Sequence, residues 1–167
     1  MKIHQKIVNE LVEKYKKDKS TIAINLFGSL ARGEERPNSD VDIEIISENV
    51  RKWRLLKKKK YGIEIDLVIC PKEHLIYQFE KYPYLCYDYL NEKIIYDPKD
   101  FMKNLKRNIK KYFDKNSKIV KFWKNKLKIM KKNKAMGQDP KDAIKSYDEA
   151  EIKFSREHKV TRDYFRK

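Results

Sequence analysis

No apolar run in this chain approaches the ~18 residues that a membrane helix needs, so no membrane partner is expected. The N-terminus opens on an amphipathic pattern instead of the apolar core of a secretory signal. Cysteine is scarce. Cys70 and Cys86 are too few and too far apart for a zinc site or a disulfide framework, and are expected as reduced thiols of a cytoplasmic protein. His4, His74 and His158 stand apart from one another and read as packing or surface residues rather than as ligands. There is no internal repeat.

What the chain has in plenty is charge. Of its 167 residues, 40% are charged, with 41 basic against 25 acidic and a net charge of +16. Such a balance points to an anionic partner or to a solvated, lysine-rich surface. The excess is local: residues 1–97 carry a net +2, residues 98–134 a net +13 and residues 135–167 a net +1. The length suits one domain, or a small domain with a helical appendage. We therefore expect a chemistry-bearing domain over 1–97 and a basic helical extension over 98–167.

Ile3, Ile7, Val8, Leu11, Val12 and Tyr15 recur at helical spacing and predict a helix ending near Lys17. Thr21 to Phe27 reads as a buried strand, stopped by Gly28. A brief helix from Ser29 to Glu35 follows, with Gly33 closing it and Pro37 preventing continuation. Residues 40–46 alternate, with Val41, Ile43 and Ile45 on one face and Asp40, Asp42 and Glu44 on the other. Residues 63–69 repeat the pattern, with Asp66 on the polar face. Between them, Glu48 to Lys60 reads as a basic connector, helical around Trp53 and Leu56. A helix after Pro71 is interrupted at Tyr82-Pro83, a short helix runs through Leu85, Tyr89 and Leu90, and Ile94 to Tyr96 forms a last strand. Asp97-Pro98 is a helix-start signal, with Phe101, Leu105, Ile109 and Tyr112 on one face. A break near Asn116-Ser117 precedes a second helix to Gly137, and Asp139-Pro140 begins a third.

The chemistry concentrates in Gly28-Ser29 and, ten residues on, Asp40-Val41-Asp42. Two residues apart on a strand, carboxylates lie roughly 6–7 Å apart at Cα and point the same way. They can converge on a pair of divalent ions about 3.5–4 Å apart, the arrangement that activates an attacking oxygen and steadies a leaving one. Asp66 joins them if the apolar faces of both strands share one core. A donor set of carboxylates alone favours Mg²⁺, with Mn²⁺ as the alternative, over zinc. Glu44 and Glu64 on the same face read as supporting or solvated groups. The Gly28-Ser29 turn offers backbone N–H groups and a hydroxyl to the phosphates of a nucleotide, and Arg32 offers a charge. Alone, each piece is an ordinary turn or a solvated strand face. Their joint spacing points to nucleotidyl transfer, the movement of an NMP group from an NTP to a nucleophile.

On Gly28, Ser29, Asp40, Asp42 and Asp66 the chain resembles the DNA polymerase β-like nucleotidyltransferase superfamily, and within it the minimal nucleotidyltransferases. Leu30 stands where many relatives carry arginine. The resemblance covers residues 1–97 and implies an α/β fold, a small mixed sheet flanked by helices; the helical spacing beyond it adds a C-terminal helical hairpin, or two helices that pack on a partner. Members modify proteins, antibiotics, tRNA or nucleic-acid ends, and many minimal ones are antitoxins that place AMP on a partner HEPN toxin. The expectation is an Mg²⁺-dependent adenylyltransferase acting on a protein hydroxyl. An RNA end or a small molecule is the second acceptor class, and a non-catalytic nucleotide- or RNA-binding protein the third reading. The extension over 98–167 is expected to dock the acceptor, protein ahead of RNA, or to form a homodimer.

Overall fold

The alternating segments Val41–Ser47 (β2) and Ile63–Pro71 (β4) form the centre of a five-stranded sheet. They run parallel, with Val41 opposite Ile65 and Ile43 opposite Leu67. Thr21–Leu26 (β1) pairs antiparallel with β2, Lys93–Tyr96 (β5) antiparallel with β1, and Arg54–Lys60 (β3) antiparallel with β4. The order is β3-β4-β2-β1-β5. The mixed sheet flanked by helices is the fold expected. This computed structural model describes residues 2–135, with side chains up to residue 128. The expected helix after Asp139-Pro140 and the stop at Gly137 lie outside the described residues.

Helix α1 (Ile3–Tyr15) lays Ile7 and Val8 on one sheet face, against Ile24, Leu26, Val41, Ile43, Ile45, Ile65 and Leu67. These residues alternate along their strands because a period of two sends every second side chain to that face. Burying a branched aliphatic side chain contributes about 1.5–3 kcal/mol, so this layer is the chief source of stability. Its consequence for function is geometric: every intervening residue of β2 and β4 must face the other way.

The stretch expected as a basic connector is instead β3. Its residues are exposed except for half-buried Leu56, so the strand is held by its hydrogen-bonded pairing with β4 rather than by an apolar face. Tyr61 and Gly62, both at positive φ (52° and 81°), turn β3 directly into β4, as a two-residue hairpin loop requires. The Tyr61 hydroxyl donates to Glu10 Oε1 at 2.9 Å, and Lys60 pairs with the same carboxylate, fastening the hairpin tip to α1.

After β4 come α3 (Lys72–Lys81), two 3-10 turns (Pro83–Leu85 and Tyr87–Asn91), β5 and α4 (Phe101–Asp114). Where one short helix was expected through Tyr89, the chain makes these two turns. Helix α4 starts three residues later than the Asp97-Pro98 signal suggests. Asp97 still serves it, because its Oδ2 accepts the Lys103 N–H at 2.9 Å. Met102, Leu105, Ile109 and Phe113 form its buried stripe, and the Phe113 ring meets Tyr87 edge-on at 5.1 Å. The chain divides into two units, Met1–Lys115 and Asn116–Lys167. In the second, α5 (Ser117–Ala135) begins at the expected break, and Lys126 lies over the Trp123 ring. No helix among the described residues is long and apolar enough to cross a membrane.

Candidate active site

The parallel register sets Asp42 of β2 directly beside Asp66 of β4, on the face turned away from α1. Asp40 precedes β2 by one residue. One carboxylate oxygen from each of Asp40, Asp42 and Asp66 lies within 4.8 Å of the other two; Asp40 is exposed and the others half-buried. Three carboxylates this close repel one another unless a cation lies among them, and an all-oxygen, water-accessible set fits a hard divalent ion.

The Gly28 turn closes over this cluster. Phe27 N–H donates to the Asp42 carbonyl at 3.1 Å, holding the end of β1 to β2. Gly28 then takes φ +67°, and a Cβ placed there would fall 1.9 Å from Asp42 Oδ2. Glycine is therefore required twice, by backbone conformation and by the carboxylate lying against it. Ser29 follows at the start of the short helix α2 (Gly28–Arg32), which Gly33 ends at φ +68°. Arg32 Nε donates to Glu34 Oε2 at 2.8 Å.

Two residues outside the expected site position it. His4 donates from Nε2 to the Ser39 carbonyl at 2.8 Å, tying α1 to the residue before Asp40. The donation fixes a proton on that nitrogen, since a carbonyl only accepts. Lys57 of β3 stands opposite Asp66, its Nζ 3.3 Å from Asp66 Oδ1.

Glu44, expected among solvated or supporting groups, is buried, whereas Glu64 on the same face is exposed. Burial pushes the Glu44 carboxyl up to about 7, opposed by hydrogen bonding to Tyr89 and Asn25. Tyr89 donates to Glu44 Oε1 at 3.4 Å, and Asn25 Nδ2 donates to Glu92 Oε2 at 3.0 Å. Glu92 is held well above the ordinary carboxylate range by burial first and by the neighbouring Glu44 second. Cys70 and Cys86 are buried free thiols as expected, both pushed up by burial, Cys86 to about 12. A polar layer thus lies under the carboxylates of β2. Sequence reasoning missed its closure because the 3-10 turn that brings Tyr89 over Glu44 lies 45 residues away. Asn25, a polar residue inside the otherwise apolar Thr21–Phe27 run, was the available signal.

The nucleotidyltransferase domain family model matches residues 4–145. Two proteins of Methanocaldococcus jannaschii, named "Putative protein adenylyltransferase MJ1305" and "Putative protein adenylyltransferase MJ0141", are similar to this chain. The first is 33% identical over 122 residues, covering 65% of this chain and 82% of the relative. The second is 34% identical over 73 residues, covering 37% and 74%. A solved nucleotidyltransferase-like protein from Exiguobacterium sibiricum superposes with a TM-score of 0.50 at 14% identity. It shares the fold over 63% of this chain, which spans 38% of that protein's length. The matched span and the relatives agree, and the chain belongs to the nucleotidyltransferase domain family, as an enzyme of nucleotidyl transfer.

Proposed function

We propose that the chain transfers AMP from ATP to a protein hydroxyl, with Asp40, Asp42 and Asp66 holding Mg²⁺ and with Gly28, Ser29 and Arg32 at the triphosphate. The convergence of the three carboxylates within 4.8 Å beneath the Gly28 turn carries this reading. Bound divalent ions would lower the charge on the phosphate oxygens and on the attacking oxygen. The protein's own part is placement. Asp42 anchors from one strand, Asp40 from the residue just before it and Asp66 from the neighbouring strand, so the acceptor hydroxyl and the α-phosphate meet beside two rigid elements. Ser29 donates its hydroxyl and the turn its N–H groups to the phosphates, and pyrophosphate leaves on that side. Exposed Asp40 leaves the acceptor side open to a macromolecule.

The names of the Methanocaldococcus relatives support a protein acceptor, and an antitoxin acting on a HEPN toxin is the setting in which we place it. The basic extension, residues 98–167, is assigned to the acceptor or to a second copy of the chain rather than to the chemistry. The deciding experiment incubates the full chain with α-labelled ATP, Mg²⁺ and candidate acceptor proteins. Label on a protein hydroxyl is expected, and its absence with every acceptor while RNA becomes labelled would shift the reading to RNA ends. The exposed lysines of α4, Lys103, Lys110 and Lys111, are what favours that second reading.

A further inference from the structure

Basic charge in residues 1–97 is concentrated in one place. Residues 51–60 hold seven cations and no acid, while the rest of that span is net −5. Seven of the ten, Arg54 through Lys60, lie on β3, which ends the sheet and whose outer edge is unpaired among the described residues. Lysines on an edge strand commonly guard against self-pairing. That function does not explain Leu55, 42% exposed, or Trp53 just ahead of it, 49% exposed, since apolar groups invite what lysines repel. Nor does it explain the placement. Leu55, Lys57 and Lys59 alternate onto the face that carries Asp66, with Lys57 opposite Asp66 and Lys59 opposite Glu64.

We propose that the outer edge of β3 is the docking site for an extended acidic segment of the acceptor protein, which adds as a sixth strand beside Arg54–Lys60. The partner's sequence pattern follows from the strand it meets. Facing residues in an added strand are direct neighbours, so Arg54, Lys58 and Lys59 call for acids, Lys57 and Lys60 being paired with Asp66 and Glu10, while Leu55 and Leu56 call for apolar residues. The segment is therefore a pair of apolar residues flanked on one side by an acidic run centred opposite Lys58 and Lys59. Strands stand about 4.8 Å apart, which sets the added strand roughly 10 Å from β4 and Asp66. A hydroxyl a few residues along the same segment reaches the carboxylates from there. Charge selects protein over RNA here only together with the backbone edge: a phosphate chain would use the lysines but has no strand to offer.

This inference rests on the reading of a protein acceptor, and its test is separable from it. A displayed library of random twelve-residue peptides is selected on the full chain, and the best peptide is synthesised. Its binding is measured on the native chain and on a Lys58→Glu/Lys59→Glu variant, and hydrogen exchange of the native chain is recorded with and without it. Selected peptides should carry the apolar pair beside an acidic run, bind the variant at least tenfold more weakly, and slow amide exchange at 54–60. Peptides without the pattern, or protection that spares 54–60, would overturn the proposal even if the variant fails to fold. So would poly(A) RNA that displaces the peptide and itself protects 54–60. Peptide binding with no label transfer to any protein would refute the acceptor reading and leave the docking edge standing; transfer without peptide enrichment would do the reverse.

Discussion

Gly28 and Gly33 share nearly the same left-handed φ but differ in what surrounds them, and this separates backbone strain from site damage. A Cβ costs roughly 1–2 kcal/mol at either position through conformation alone. At Gly33 it would meet nothing within 4 Å, whereas at Gly28 it strikes Asp42 Oδ2. Gly28→Ala and Gly33→Ala should therefore lower the melting temperature alike, while only Gly28→Ala weakens Mn²⁺ binding, by tenfold or more in a paramagnetic titration. Asp42→Asn should abolish transfer and leave the fold intact, since it relieves repulsion among crowded carboxylates; labelled-ATP turnover and circular dichroism check both halves. Ser29→Ala should weaken ATP binding by about 1.5–3 kcal/mol, the worth of a hydrogen bond to a charged group, read by calorimetry. Glu92 makes a pH prediction. Its carboxyl is raised in the fold, so the unfolded chain releases this proton first, near the ordinary value of 4.5. Stability must then fall as pH rises from about 4.5 through the folded value, by up to about 1.4 kcal/mol per pH unit. Glu92→Gln should remove that decline, leaving the part due to Glu44, which ends at about 7. Urea unfolding at pH 5 and pH 8 gives the comparison.

At the level of elements, legibility followed apolar periodicity. Helix α1 and strands β2 and β4 set their core-facing apolar side chains at period 3.6 or 2, β1 is a short apolar run buried throughout, and the strand alternation already put Asp40, Asp42 and Asp66 on one side. Strand β3 buries almost nothing. Its Leu55-Leu56 followed by four lysines shows no alternation, and only Gly62, ending the stretch after Tyr61, hinted at a hairpin. The start of α4 shows a different limit. Asp97-Pro98 marks a helix start in sequence, yet the helix begins after Asp100, and Asp97 accepts the Lys103 N–H from outside it. Asp97→Ala should cost about 1 kcal/mol, a typical cap loss, against about 2–5 kcal/mol for Ile109→Ala in the fully buried stripe. Thermal unfolding of the two variants should rank them in that order.

Over the whole molecule, charge and chemistry are segregated. The carboxylate site lies in the part of nearly balanced charge, and the net +13 segment, residues 98–134, lies beyond it. Affinity for bulk tRNA, measured across a salt series with the full chain, separates the roles open to that segment. A protein-docking role predicts no tRNA binding at physiological salt. A log-linear loss with salt, abolished by reversing Lys110 and Lys111, would report phosphate contacts and move the acceptor to RNA. The parallel pairing of β2 with β4 has a consequence for how the chain acquires its shape. The Tyr61-Gly62 hairpin closes locally, within about 1–10 μs, but β4 reaches β2 only when the finished hairpin swings across as a unit, a slower step of longer loop closure. Asp66 arrives with it, so that step drives a third negative charge towards two others. Refolding followed by stopped flow should show Mn²⁺ affinity appearing in that slow phase and not before, and millimolar Mg²⁺ should slow unfolding by holding the two strands together.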